Sequence, residues 1–353
     1  MKHRGRKKGI LAGILCMMSF ALCACAGREA RPEIQRQKAS MEQEDGQSIS
    51  FKPLLSRKVQ TLEYRGALSL GLVAASCDAI YLYNENKGKE SGILKMRPGE
   101  DSIRALPVVV PSGMEFTHMT TDTQGNLYAV LQNENQYNDR CEVWKIAPSG
   151  KTTIKLDISA YIEKEALPFN EIAIAGNGDI YLSMEKNGAA VLVFDAEGNF
   201  INKLCLGERG DMPHIVMGRG KNGEIFAVLP DNSLPDPAAV IMELDGRSGC
   251  IGRMASFIRS EDTFYEYLFP GRDCDIILLG AAGVFGYDLE SGTVKWKVPA
   301  QMLPFCMEDD LQMTVLADGR LLFLVPGHAR RKDQTKEFVS EGTKLYYIPA
   351  AQQ

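Results

Sequence analysis

One short pattern recurs along this chain, a polar turn that leads directly into an apolar strand. The clearest copy spans residues 122–130, with the sequence Asp-Thr-Gln-Gly-Asn-Leu-Tyr-Ala-Val. Aligned on the residue just before the apolar strand, six copies fall at Ala79, Asn126, Asp179, Glu224, Asp275 and Arg320. The intervals between them are 47, 53, 45, 51 and 45 residues. A steady period of about 40–50 residues built from short strands is typical of repeated four-stranded sheets.

The repeat predicts an all-β, six-bladed beta-propeller over residues 51–353. The predicted blades span about 66–110, 114–157, 169–205, 213–256, 264–298 and 309–348. The sixth blade has only three predicted strands before the chain ends. A bare sheet edge invites aggregation, and residues 59–64 alternate in the manner of a strand. We therefore expect residues 59–64 to close the ring by pairing with the last strand; the alternative is a stray edge strand.

The first 25 residues have the pattern of an export signal. Five basic residues precede a charge-free run over residues 10–24. Fifteen residues are too few for a membrane-spanning helix, which needs about 20, but suit the apolar region of a signal peptide. The run ends in Leu22-Cys23-Ala24-Cys25, which resembles a bacterial lipobox.

The lipobox resemblance implies cleavage before Cys25 and a covalent diacylglycerol anchor on its sulfur, with acyl chains such as palmitate. The protein would then lie on the outer face of the bacterial cytoplasmic membrane, held by lipid alone. Cys23 is a poor acceptor because the bulky Leu22 would precede it. The alternative is an ordinary secretory signal cut near Ala26, with Cys25 incidental.

Residues 26–50 are rich in charged and amide side chains and poor in aliphatic ones. Such a segment buries too little apolar surface to offset the entropy of ordering, so we expect a flexible tether. Without the five basic residues of the signal, the chain has 35 of its 40 Lys and Arg residues and all 45 Asp and Glu residues, so acidic residues are in excess. This acidic balance argues against binding of nucleic acid.

The Asp-x-x-Gly-Asn-Leu-Tyr unit resembles the loose repeats of NHL-type six-bladed propellers. A lipobox followed by such a ring also resembles the amino-terminal half of bacterial surface lipoproteins whose other half binds solutes. That resemblance implies a link with nutrient uptake. The sequence ends at Gln353 without a solute-binding half, so the resemblance does not imply that this chain captures a solute for transport. Whether a partner supplies that half stays open.

Six cysteines follow Cys25, none of them closely spaced: Cys77, Cys141, Cys205, Cys250, Cys274 and Cys306. We expect most to be free and to serve as small apolar residues in strands; disulfides between neighbouring blades are the alternative. No zinc-protease, serine-hydrolase or P-loop motif occurs. Gly218 to Gly223 has dinucleotide-type glycine spacing but precedes a strand, where that motif needs a helix. The sequence therefore indicates no catalytic residues, no metal and no cofactor beyond the lipid.

A candidate site follows from position in the repeat. The residue just before the apolar strand in each repeat is here called its anchor. Eight residues before each anchor, at the start of each innermost strand, stand Gly71, His118, Glu171, Val216, Tyr267 and Gln312. These positions should meet at one mouth of the central channel, where His118, Glu171, Tyr267 and Gln312 would bind a ligand. The simpler interpretation is that these residues are polar because loops are exposed to solvent. A basic segment over residues 328–333 would contact an acidic partner or be a solvated loop.

Three functions fit this sequence. The first is a non-enzymatic, membrane-anchored extracytoplasmic module that binds a small solute or a surface protein. The second is an enzyme, a lyase or hydrolase acting on a sugar or peptide, because some propellers use a His/Glu/Tyr set that His118, Glu171 and Tyr267 resemble. The third is a structural scaffold. The absence of a catalytic motif favours the binding module.

Overall fold

The structure is a computed structural model of the chain. It describes residues 58–61, 70–85, 92–100, 102–133, 140–161, 171–184, 189–206, 215–231, 238–258, 265–305, 311–325 and 344–348. The expected signal peptide with Cys25, the tether, the basic segment and Cys306 lie outside these ranges. No helix within the described ranges is long and apolar enough to cross a membrane.

The described residues form short strands and two single-turn 3-10 helices, Ser159–Tyr161 and Ala300–Met302. In chain order the strands are β1 (Lys58–Thr61), β2 (Leu70–Ala75), β3 (Ile80–Asn84), β4 (Gly92–Met96), β5 (Arg104–Ala105), β6 (Met114–Thr121), β7 (Leu127–Asn133), β8 (Cys141–Ile146), β9 (Thr152–Asp157), β10 (Glu171–Ile174), β11 (Ile180–Met184), β12 (Ala190–Phe194), β13 (Phe200–Cys205), β14 (Val216–Arg219), β15 (Ile225–Asp231), β16 (Ala238–Asp245), β17 (Cys250–Ile258), β18 (Tyr265–Pro270), β19 (Ile276–Gly280), β20 (Gly283–Asp288), β21 (Thr293–Pro299), β22 (Gln312–Val315), β23 (Leu321–Val325) and β24 (Lys344–Ile348).

These strands make six four-stranded antiparallel sheets. Five sheets are runs of consecutive strands: β2 to β5, β6 to β9, β10 to β13, β14 to β17 and β18 to β21. The sixth has the order β22-β23-β24-β1. The all-β, six-bladed propeller predicted from the repeat is confirmed.

The sixth sheet joins the two ends of the chain. β1 pairs antiparallel with β24, with Lys58 opposite Tyr347 and Thr61 opposite Lys344. The expected closing strand is therefore present at Lys58–Thr61, and residues 62–64 of the predicted strand lie outside the described ranges. Pairing β1 with β24 satisfies an edge that the end of the chain would otherwise leave bare.

The described residues form six apolar core clusters, and each cluster lies between two successive blades. In β7, Leu127 and Ala129 pack towards the first blade, whereas Tyr128 and Val130 pack towards the third. Because side chains alternate across a strand, a blade that is covered on both faces needs apolar residues at every position. This explains why the central strands read as continuous apolar runs. Fully burying each large apolar side chain contributes about 1.5–3 kcal/mol.

The repeated turn has a local cause for its aspartate and its glycine. Asp122 Oδ1 accepts hydrogen bonds from the backbone N–H of Gln124 (2.9 Å) and of Asn126 (2.8 Å). Gly125 has a φ of 82°, in the left-handed region that side chains disfavour. The turn therefore sets the direction of the strand that follows, β7.

The five described cysteines are all unpaired thiols. Cys141 and Cys274 are buried, in agreement with a role as small apolar residues. Cys77, Cys205 and Cys250 are exposed, so the expectation of burial is wrong for them. Cys205 ends the outermost strand of its blade, where alternation alone cannot reveal that one face meets solvent.

Candidate functional site

The innermost strands of the six blades surround a central cavity of about 360 Å³. Every residue that lines this cavity belongs to β2, β6, β10, β14, β18 or β22. The cavity lies within the 300–1,000 Å³ range of small-molecule sites. All six blades thus contribute residues to this cavity.

Strand pairing places the lining residues in four successive layers. The layer where the inner strands begin, here called the mouth layer, contains the residues that pair with the fourth residue after each anchor. Its members are Leu72, His118, Glu171, Val216, Tyr267 and Gln312. The structure therefore brings the four predicted residues, His118, Glu171, Tyr267 and Gln312, to one level of one cavity. That they bind a ligand stays a prediction.

The mouth layer differs from the expected one at two positions. The turn between β2 and β3 has four residues, 76–79, whereas the matching turns of the other five blades have five, so Leu72 rather than Gly71 enters the layer. A side chain at Gly71 would collide with the Glu85 carboxylate. Val216 is buried in the apolar cluster between the fourth and fifth blades and does not line the cavity.

The four polar residues of the mouth layer are all half-buried. The Nδ1 atom of His118 lies 3.1 Å from the Thr117 hydroxyl oxygen. The Tyr267 hydroxyl donates to the Leu311 carbonyl at 3.5 Å, and its ring stacks on Phe269 with centroids 5.9 Å apart. An imidazole, a carboxylate, a phenol and an amide together offer both hydrogen-bond donors and acceptors. This set suits a polar ligand.

The next two layers are mainly apolar. The second contains Val73, Met119, Ile172, Met217, Leu268 and Met313. The third contains Ala74, Thr120, Ala173, Gly218, Phe269 and Thr314. At Gly218 a Cβ atom would collide with the Leu268 carbonyl oxygen, so only glycine allows β14 and β18 to approach this closely.

The fourth layer, here called the inner-end layer, has a single charged member. It consists of Ala75, Thr121, Ile174, Arg219, Pro270 and Val315. The Arg219 Nη1 atom is buried and has no hydrogen-bond partner within the described residues. Burial lowers the pKa of Arg219, and the carboxylate of Asp122 acts in the opposite direction. The Thr121 hydroxyl donates to the Ala75 carbonyl at 2.5 Å, which joins the first two blades at this level.

Arg219 was not predicted from the sequence as a site residue, although it lies within the Gly218 to Gly223 segment of dinucleotide-type glycine spacing. The available signal was a lone arginine at the end of an inner strand, five residues before the anchor Glu224. Within the described ranges, no three His, Cys, Asp or Glu residues are arranged to hold a metal ion. The segments that precede β10, β14, β18 and β22 lie largely outside those ranges.

Comparisons with known proteins show the fold alone. No protein-family model matches the chain, and no curated protein matches it. Among solved structures, the chain is similar to the allergen Mala s 1 of Malassezia sympodialis, at 12% identity over 80% of this chain and 93% of that one, with a TM-score of 0.51. It is similar to a luciferin-regenerating enzyme at 10% identity over 84% and 98% of the two chains, also with a TM-score of 0.51. The Dos1 propeller matches at 9% identity over 82% and 94%, with a TM-score of 0.47.

Proposed function

We propose that this protein is a non-enzymatic binding module that holds a small solute in its central channel. One observation carries the proposal: four polar side chains of different chemistry, from four different blades, lie in one layer of a cavity of about 360 Å³. The sides of the cavity below that layer are mainly apolar. Small-molecule sites usually combine a mainly apolar lining with a few polar groups that point towards the ligand.

The cavity favours a small solute over a protein partner as the ligand. Its lining comes wholly from inner strands, which a protein surface reaches only through an inserted segment. A solute enters from the mouth layer, where His118, Glu171 and Gln312 would hydrogen-bond it. Tyr267, held against Phe269, would supply a flat apolar face.

The proposal is tested by a thermal-shift screen of the purified protein against sugars, amino acids and small organic acids. A ligand that binds only the folded state must raise the melting temperature, Tm. The variant with His118→Ala, Glu171→Ala and Tyr267→Ala together should lose the shift. Glu197→Ala, in an exposed turn of the third blade, should keep it. An unchanged shift in the triple variant would exclude the mouth layer as the binding site.

Catalysis is the second candidate, because His118, Glu171 and Tyr267 occupy the same layer and carry a proton acceptor, a carboxylate and a phenol. Catalysis requires the nucleophile or base to lie within hydrogen-bond reach of the reacting group. Incubation of each solute that shifts the Tm, followed by mass spectrometry of the mixture, separates the two functions. A product formed by the protein and lost in His118→Ala would establish an enzyme.

We also propose that the propeller is displayed outside the cell on a lipid attached to Cys25. The basic n-region, the short apolar run and the tetrapeptide Leu22-Cys23-Ala24-Cys25 support this proposal. More than one acyl chain is needed for stable membrane attachment, and a diacylglyceryl group provides two. A solute-binding propeller in this position would act in the recognition or uptake of an external nutrient.

A further inference from the structure

Arg219 stands out among the residues that line the channel. Among the described residues it is the only arginine or lysine that lines the channel, and it lies in the inner-end layer, opposite the mouth layer. Its Nη1 atom is buried without a hydrogen-bond partner in the described part of the chain. A guanidinium carries five N–H donors, and burying one of them unpaired costs free energy.

Asp122 is the acidic group that attracts Arg219, but its oxygens are engaged elsewhere. Asp122 Oδ1 accepts from two backbone N–H groups of its own turn, and Oδ2 accepts from Asn126 Nδ2 at 2.8 Å. Asp122 therefore offsets part of the positive charge of Arg219 without occupying its Nη1 donor. Arg219 as a whole is half-buried and lines the cavity, so it is the positive group that a ligand in the channel would meet.

We propose that Arg219 binds the carboxylate of a small organic monoanion that lies lengthwise in the channel. This inference rests on the proposed function and names the chemical class of its ligand. A planar guanidinium and a planar carboxylate form paired, charge-assisted hydrogen bonds, which are stronger than neutral ones. One arginine balances one negative charge, whereas a phosphate monoester carries closer to two.

The distance between the two polar ends limits the length of the ligand. Four layers are separated by three strand steps of about 3.3 Å, which gives about 10 Å along the channel. The two layers between them are mainly apolar, so the middle of the ligand is apolar as well. Glu171 in the mouth layer would repel a second negative group, and the far end of the ligand is therefore neutral.

The test compares acids with amides of the same shape. Hexanoate and benzoate are titrated into the purified protein, with hexanamide and benzamide as neutral controls. Each acid should raise the Tm by about 2–4 °C at ten times its dissociation constant, and each amide should raise it much less. Equal shifts from acid and amide would overturn the inference, and this comparison needs no variant.

Variants locate the effect. Arg219→Gln should weaken acid binding at least about tenfold, because a hydrogen bond to a charged group is lost. Arg219→Lys, which keeps the charge but not the planar fork, should weaken it less. The matched control is Arg97→Gln, which removes an exposed arginine of the first blade and should bind as the wild type does. Unchanged acid binding in Arg219→Gln would overturn the inference, whatever the Tm of the unliganded variant.

Failure of this inference and failure of the proposed function give different results. If neutral solutes bind and the mouth-layer triple variant loses them, but no acid depends on Arg219, the binding module stands and the carboxylate ligand is wrong. If acids bind through Arg219 but no solute loses binding in the triple variant, the carboxylate site stands and the mouth-layer site of the proposed function is wrong. Phosphate monoesters binding more tightly than carboxylates would also overturn the assignment.

Discussion

The carboxylate of Asp179 and the guanidinium of Arg247 form a two-point ion pair between the third and fourth blades. Arg247 Nε donates to Asp179 Oδ2 and Arg247 Nη2 donates to Asp179 Oδ1, both at 2.8 Å. The Asp179 side chain is only 1% exposed, whereas that of Arg247 is 62% exposed. The pair links the anchor residue of one blade to the outer turn of the next.

Removal of Arg247 should lower the Tm, because the buried carboxylate of Asp179 would lose its charged partner and, among the described residues, keep the side-chain amide of Asn177. Arg247→Met should lower the Tm more than Arg247→Lys, which keeps a charge but not the two-point geometry. Thermal unfolding followed by circular dichroism measures the difference. The matched control is Arg97→Met, which breaks the exposed 3.5 Å pair with Glu100 and should leave the Tm unchanged.

Two tyrosine hydroxyls make similar links between blades. The Tyr81 hydroxyl donates to the Gly125 carbonyl at 3.0 Å, and the Tyr181 hydroxyl accepts from the Gly246 N–H at 3.0 Å. Tyr81→Phe and Tyr181→Phe should each lower the free energy of unfolding by about 0.5–1.5 kcal/mol, because a buried backbone group loses its partner. Chemical denaturation measures this.

The effects of Tyr81→Phe and Tyr181→Phe should add in the double variant, since they act between different pairs of blades. Tyr161→Phe is the control, because the exposed ring of Tyr161 stacks on Phe200 at the edge of the propeller. A loss in Tyr161→Phe as large as in the other two would contradict the role of the hydroxyl links.

Thiol reactivity should separate the five described cysteines into two groups. Burial raises the pKa of Cys141 to about 12 and that of Cys274 to about 11, so both thiols stay protonated as well as inaccessible. Cys77, Cys205 and Cys250 are exposed and should react. Alkylation of the native protein at pH 7.5, followed by peptide mapping, should modify these three and spare the other two. Rapid labelling of Cys141 without unfolding would contradict the burial described for it.

Stability should fall in acid because several turn aspartates are stabilised in their charged form. Hydrogen bonds from the side chain and backbone of Asn199 lower the pKa of Asp195, and Ser248 does the same for Asp245. A carboxyl whose folded pKa lies below its unfolded value of 3.8 contributes stability above that value. The contribution is lost as the pH falls through the folded pKa.

The Tm should therefore depend little on these groups above about pH 5 and decrease below about pH 4. Asp195→Asn should lower the Tm at pH 7 and have a smaller effect at pH 2.5. Glu197→Gln changes a carboxylate of the same turn and is the control. An effect of Asp195→Asn that is equal at both pH values would contradict the assignment.

Cys25→Ser should release the protein from the membrane fraction of cells that express it, because the thioether to the lipid could not form. The matched control is Cys23→Ser, which alters the neighbouring cysteine and should leave the protein in the membrane. Fractionation followed by immunoblotting measures the distribution. Retention of Cys25→Ser in the membrane, or release of Cys23→Ser, would count against lipid attachment at Cys25.

The repeat predicted much of this architecture because each copy marks the same turn in the same sheet. The spacing from Asn126, Asp179, Asp275 and Arg320 placed four residues in the mouth layer correctly. The same count failed at Gly71, because the turn between β2 and β3 is one residue shorter than the other five and moves the pairing of β2 by one residue.

The parts of the site that the sequence did not predict depend on three-dimensional surroundings. Val216 lies in the mouth layer, but its side chain packs between the fourth and fifth blades, because the neighbouring strands form an apolar cluster there. Arg219 is a common residue type at an ordinary position, and its significance comes from burial at the end of the channel. Exposure of Cys205 and Cys250 likewise depends on which strand face the ring leaves uncovered.

The central claim is that the solute binds inside the channel, and methionine-methyl NMR tests it most directly. Met119, Met217 and Met313 line the cavity, whereas Met96 and Met184 lie between blades outside it. In protein labelled with ¹³C at the methionine methyl groups, a solute that raises the Tm should shift the signals of the three cavity methionines. The signals of Met96 and Met184 should stay in place. Shifts confined to methionines outside the cavity would contradict the claim.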